Sequence, residues 1–238
     1  MMIAKTPSEN ASSRFLFKKG SPSSLNKVVD DGKDEIQMKN VLIIGATGSF
    51  GSALRKRLQI EADINVTLFS RSAGSLTTDS KRETIKTGDA TNINVIEPLI
   101  GNQDFIFSAV SGKQIISVTK NLVSLIEGTD KYLVLVSSLG VYNEIPQAMG
   151  SNWNLNENAV LKPYREAADI VEKGAKHYTV IRPGWINQGP TAQDYEVTEK
   201  GQPFGGRDVS PENMAKLVLN IIRNPQEYNG RNLGINDK

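Results

Sequence analysis

An apolar run, Val41-Leu42-Ile43-Ile44, leads straight into Gly45-Ala46-Thr47-Gly48-Ser49-Phe50-Gly51, and this junction constrains the fold more than any other stretch of the chain. An unbroken apolar run of strand length suits a parallel strand buried on both faces. The segment after the glycines, Phe50 to Ile60, carries Leu54 and Leu58 four apart and reads as a helix. A glycine-rich turn between strand and helix lets backbone approach an anion while the helix N-terminus points its N–H groups at it. The ligand this implies is a pyrophosphate, the alternative being an ordinary strand-to-helix turn.

The rest of the chain keeps the same alternation. Strands are expected at Asn65 to Ser70, Thr84 to Lys86, Asp104 to Val110, Tyr132 to Val136 and Tyr178 to Ile181. Helices are expected at Asn92 to Ile100, Lys113 to Glu127 and Lys162 to Lys173. A last one runs from Pro211 to about Arg223, with Ser210 as its cap. This pattern predicts an α/β, Rossmann-type, doubly wound and mostly parallel sheet with helices on both faces. Two segments, 143–159 and 185–208, break the rhythm after strand ends on the ligand-binding side, and are expected to be loops that wall the substrate.

Composition narrows the function by exclusion. No Cys is present, so disulfides and thiolate chemistry drop out, and one His, His177, is too few for a histidine metal site; no metal is expected. A net charge of +2 gives no nucleic-acid footprint, and no apolar run approaches the roughly 20 residues needed to span a bilayer. A cytoplasmic protein is the expectation. Residues 1–37 are rich in Ser, Lys, Asp and Asn without helical or strand period. They read either as a disordered tail or as sequence ahead of a true start at Met38. Residues 38–238 then form one domain.

NAD-specific dinucleotide folds place an acid about 20 residues beyond the glycine turn, where it binds the ribose 2′-hydroxyl. Here that position holds Arg71, between Ser70 and Ser72. A guanidinium suits a 2′-phosphate, so NADP(H) is expected in preference to NAD(H).

Together, GATGSFG at Gly45 to Gly51, GDATN at Gly88 to Asn92, VSSLGVY at Val136 to Tyr142 and VIRPGW at Val180 to Trp185 resemble the extended and atypical short-chain dehydrogenase/reductases. They look most like the small NAD(P)H-binding, NmrA-like and flavin/biliverdin-reductase-like members. The resemblance implies that Thr47, Gly48, Ser49 and Phe50 join Gly45 and Gly51 around the phosphates. It also puts Asp89 and Ala90 beside the adenine, Ser108, Ala109 and Val110 along the central groove, and Pro183, Gly184 and Trp185 near the nicotinamide.

The superfamily's Ser-Tyr-Lys machinery is incomplete. Ser137 and Ser138 fit the serine, and Tyr164 stands where the tyrosine belongs, but the residue four further on is Ala168. An unassisted phenol, with a pKa of about 10, is a poor base near neutrality. Adjacent helix residues do not share a face, so Arg165 does not replace the lysine. Ser138, Tyr164 and Tyr142 are the candidate catalytic side chains, and the pairs Asp130-Lys131 and Glu172-Lys173 read as solvated faces. Two readings stay open. One is a reductase passing hydride directly to a small flavin-, quinone- or carbonyl-type acceptor. The other is a non-catalytic NADP(H) sensor resembling NmrA, acting on a protein partner.

Overall fold

The computed structural model describes residues 37–78, 80–187 and 189–238 of the 238-residue chain. The expectations for the first 36 residues fall outside the described residues. Among the described residues ten strands are formed: β1 (Lys39–Ile44), β2 (Ile64–Ser70), β3 (Glu83–Thr87), β4 (Phe105–Ser108), β5 (Tyr132–Val136), β6 (His177–Pro183), β7 (Trp185–Ile186), β8 (Tyr195–Glu199), β9 (Asp208–Val209) and β10 (Arg231–Asp237). The main helices are α1 (Ser49–Gln59), α2 (Ile93–Ile100), α3 (Gln114–Ile126), α4 (Lys162–Gly174) and α5 (Pro211–Arg223).

Eight strands make one sheet in the order β3-β2-β1-β4-β5-β6-β10-β8. Every pairing in it is parallel except β10 with β8. The order reverses at β1, where β2 lies on one side and β4 on the other, and such a switch point leaves a crevice at the strand ends.

Alternation along the strands decides which helix each residue meets. Val41 and Ile43 of β1 face α1 and α5, packing with Leu54, Leu58, Leu217 and Ile221. Leu42 and Ile44 face the opposite layer, where Ile96 of α2, Leu122 of α3 and Val171 of α4 close over them. Both faces of β1 are therefore covered, which is why its sequence has no polar position between Val41 and Ile44. The cap on α5 forms as expected, with Ser210 Oγ accepting from the Asn213 N–H at 3.3 Å.

The C-terminal third departs from expectation. Segment 185–208 is not a loop throughout: Tyr195–Glu199 runs antiparallel to β10 as the sheet's edge, and Trp185–Ile186 pairs with Asp208–Val209. Strand β10 itself has no apolar run to announce it, because Asn232, Gly234 and Asn236 interrupt Leu233 and Ile235. The side-chain amides of Asn232 and Asn236 find their acceptors only in the fold. Asn232 Nδ2 donates to the Tyr142 hydroxyl at 2.8 Å and to Glu172 at 2.6 Å, and Asn236 Nδ2 donates to Glu196 at 3.2 Å. Segment 143–159 contains two short 3₁₀ turns, Gln147–Met149 and Ser151–Trp153, rather than an open loop.

Candidate cofactor and acceptor cleft

Two cavities meet at the C-terminal end of the sheet, one on each side of the glycine turn. Gly45 adopts φ +88°, and a Cβ there would lie 2.8 Å from the Ala109 carbonyl oxygen. At Gly51 a Cβ would fall 2.2 Å from the Gly45 carbonyl oxygen, so only glycine lets α1 start against the turn. The helix is opened by Gly48 with no side-chain cap and no acidic residue in its first turn. Its first N–H groups therefore stay free for an anion, and the residues present fit a pyrophosphate.

The first cavity has a volume of about 180 Å³. Gly45, Thr47, Ser70, Arg71, Ser72 and Asp89 line it, with Ala90, Ala109 and Val110. Thr47 ties the turn to the end of β2, its hydroxyl lying 3.2 Å from Ser70 Oγ and 2.9 Å from Ser72 Oγ. Arg71 is exposed at the rim. Asp89 accepts from the N–H and hydroxyl of Thr91, both at 2.9 Å, which holds its carboxyl below the usual range, with the charge of Arg71 a smaller cause.

The second cavity, of about 400 Å³, lies on the other side of the turn. Gly48, Ser49 and Phe50 form its floor, and Ser138, Tyr164, Pro183 and Trp185 its walls. The Tyr164 hydroxyl accepts the Gly112 N–H at 2.9 Å, and Ser137 Oγ donates to the Tyr164 carbonyl at 3.1 Å. Tyr164 thus braces the loop after β4. The Ser138 hydroxyl, lining the cavity, donates to the Leu139 carbonyl at 3.1 Å. Trp185 meets Trp153 edge to face with centroids 5.7 Å apart, and Arg207 sits over the Trp185 ring at 5.1 Å. This stack gives the cavity an aromatic outer wall.

Three expectations need correction. Tyr142 lines neither cavity. Its ring is held by Arg165 at 4.4 Å and Lys200 at 4.6 Å, and its hydroxyl donates to Glu172 at 3.3 Å. Burial, and then the Glu172 charge, push its phenol well above the ordinary range, so it is a packed hydrogen-bonding group away from the cleft. Glu172 likewise is no solvated surface acid, since it also accepts from Lys200 and Asn232. Ser108 is fully buried inside the sheet and lines neither cavity; its hydroxyl has no partner among the described residues. The residues that line the cleft after β4 are Ala109, Val110 and Ser111. Ser111, which borders both cavities, escaped sequence reasoning, and its signal is the run of small residues leaving the strand.

Ala168 is fully buried with Ala167 and Val171 under the sheet, so no ammonium stands one turn from Tyr164. Arg165 is committed elsewhere, its Nε–H shared between the two carboxylate oxygens of Asp169 at 3.0 and 3.1 Å. One further pair shapes the cleft. Arg182, 0% exposed, bonds Glu144, 1% exposed, at 2.5 Å. Glu144 also accepts from the N–H groups of Gly140 at 3.1 Å and Tyr142 at 2.7 Å. The loop carrying Ser138 and the strap Pro183-Gly184-Trp185 are thereby fastened to each other. Among the described residues, no helix is long and apolar enough to cross a membrane.

The geometry has counterparts among known proteins. A family model for NAD(P)H-binding proteins matches residues 45–225. A Rossmann-fold NAD(P)-binding family protein from Shigella flexneri is 30% identical, with a TM-score of 0.71 over 84% of this chain and 94% of that one. A wide-type short-chain dehydrogenase/reductase from Veillonella parvula, solved in complex with NADP, shares 23% identity and a TM-score of 0.73 over 84% and 94% of the two chains. An anaerobillin reductase from Escherichia coli O157:H7 is 20% identical with a TM-score of 0.68, over 83% and 96%. The last two are likenesses of fold. No curated protein matches the sequence.

Proposed function

The chain belongs to the NAD(P)H-binding family of Rossmann-fold proteins, and from that premise we propose that it is an NADP(H)-preferring reductase acting directly on a small flavin-, quinone- or carbonyl-type acceptor. The observation that carries this reading is the second cavity, a space beside the helix N-terminus walled by Ser138, Tyr164 and Trp185 and large enough for a ring system.

Gly45, Thr47, Gly48, Ser49 and Gly51 would hold the pyrophosphate, and Arg71 with Ser70 and Ser72 the 2′-phosphate. Asp89, Ala90, Ala109 and Val110 would border the adenosine half, and Phe50, Pro183 and Trp185 the nicotinamide half. Bound there, the reduced cofactor supplies a hydride. The chain's residues orient the acceptor ring against Trp185, and Tyr164 keeps the loop at Gly112 in place. No lysine supports Tyr164, so the acceptor's proton comes from water. Proximity and orientation supply most of the rate.

The test is NADPH oxidation followed with FMN, quinones and simple carbonyls. Turnover with one class supports the reductase; tight NADP binding with no turnover for any of them favours a sensor that resembles NmrA and acts on a protein partner. Coenzyme choice is tested separately. NADPH should bind at least tenfold tighter than NADH, about 1.4 kcal/mol, and Arg71→Asp should reverse the order. Equal affinities in the unmodified protein would refute the role of Arg71.

A further inference from the structure

A third cavity, of about 610 Å³, continues from the acceptor side down the outer groove between α1 and α5. Ser49 borders both this groove and the acceptor cavity. Along α1 the groove is lined by Ser52, Ala53, Lys56 and Arg57, and along α5 by Ala215 and Lys216. Residues 49, 52, 53, 56 and 57 recur at three- and four-residue spacing, so they share one face of α1. Arg57 lies eight residues beyond Ser49, about 12 Å along the helix at 1.5 Å per residue.

The state of these charges is informative. Arg57 Nε is buried and has no hydrogen-bond partner among the described residues. A basic residue in a helix's last turn is often there for the dipole alone, but such a side chain keeps its donors in water. Lys56 is exposed. Lys216 donates to Asn213 Oδ1 at 2.8 Å and to the Gln193 carbonyl at 3.3 Å. The groove's acid, Glu212, already accepts the Thr191 hydroxyl. Three cations against one hydrogen-bonded carboxylate leave the groove positive. Arg71 and the first cavity lie on the other side of the turn, so a 2′-phosphate held at Arg71 does not reach it.

We infer that the groove of Lys56 and Arg57 binds the anionic arm of the acceptor, so that the substrate is a ring system carrying a phosphate or carboxylate on a short chain. This rests on the reductase reading above. The ring occupies the cavity at Trp185 and Tyr164, the chain crosses Ser49, and the acid meets the Lys56 ammonium and the Arg57 guanidinium where they line the groove.

FMN and riboflavin share one ring system and differ by the phosphate, so they isolate the arm. With saturating NADPH, KM for FMN should be at least tenfold below that for riboflavin at similar kcat, as a charge-assisted hydrogen bond would give. Arg57→Gln should abolish that preference, and Arg57→Lys, which keeps the charge, should retain part of it. An unchanged KM for NADPH reports that the variants are folded; if Arg57→Gln fails this control, Lys56→Gln should still narrow the preference. Equal KM values for the two flavins, or a preference that survives Arg57→Gln, overturn the inference and leave the reductase standing. Turnover of quinones with neither flavin accepted overturns it likewise. No turnover with any acceptor overturns both.

Discussion

Replacing Glu144 by Gln keeps the side chain's shape and removes its charge, which tests whether the buried pair with Arg182 holds the cleft together. The Arg182 guanidinium is fully buried, and its other contacts are neutral: Asn232 Oδ1 at 2.8 Å and the Asn232 carbonyl at 3.4 Å. Without the carboxylate the cation stays buried and uncompensated. The Gln amide also turns an N–H₂ toward one of the groups that now donate to Glu144. Breaking such a pair from one side costs about 3–5 kcal/mol. Domains of this size shift in Tm by about 2–4 °C per kcal/mol, so Glu144→Gln should melt roughly 6–20 °C lower. Urea unfolding followed by far-UV circular dichroism should show a lower midpoint with an unchanged slope. The double variant Glu144→Leu with Arg182→Met removes both charges and should be less destabilised than Glu144→Gln alone. Because the pair fastens the Ser138 loop to the Trp185 strap, KM for the acceptor should rise more than KM for NADPH. A loss below about 1 kcal/mol for Glu144→Gln would refute the reasoning.

Other outcomes follow from single contacts. Tyr164→Phe deletes the acceptor of the Gly112 N–H, so the cofactor should bind up to about tenfold more weakly with kcat nearly retained. A fall in kcat of about 100-fold or more would instead make Tyr164 the proton donor. Asp63, held down to about 2 chiefly by the Arg223 guanidinium, contributes stability that is present above about pH 4 and is lost as pH falls toward 2. Arg223→Gln should therefore flatten the acid limb of the stability profile by about 1 kcal/mol, a figure reduced for the pair's partial exposure, and an unchanged limb would count against the pair.

Much of the scaffold is written locally. The Val41–Ile44 run required burial on both faces, and β1 lies between two strands with helices above and below it. The turn at Gly45–Gly51 was legible because a steric requirement, 2.2 Å between a Cβ at Gly51 and the Gly45 oxygen, admits one residue type. The cap at Ser210 was legible for the same kind of reason, a side chain answering an N–H three residues away. The missing lysine at Ala168 could also be counted from sequence, since it depends on one helical turn.

What the sequence could not determine depends on distant partners. Tyr142 and Tyr164 look alike as phenols near the same strand end, yet the charges of Arg165, Lys200 and Glu172 pull one into a packed network and leave the other facing the cleft. Ser108 and Ser111 are three residues apart, and the point at which β4 ends buries the first and exposes the second to both cavities. Strand β10 is polar by composition and becomes a strand because β6 and β8 supply its ladder and Tyr142, Glu172 and Glu196 its side-chain bonds. Spacing along the chain therefore determined that a glycine turn opens a helix whose N-terminus carries no side-chain cap. Packing between elements far apart in sequence decided which side chains surround what binds beside it.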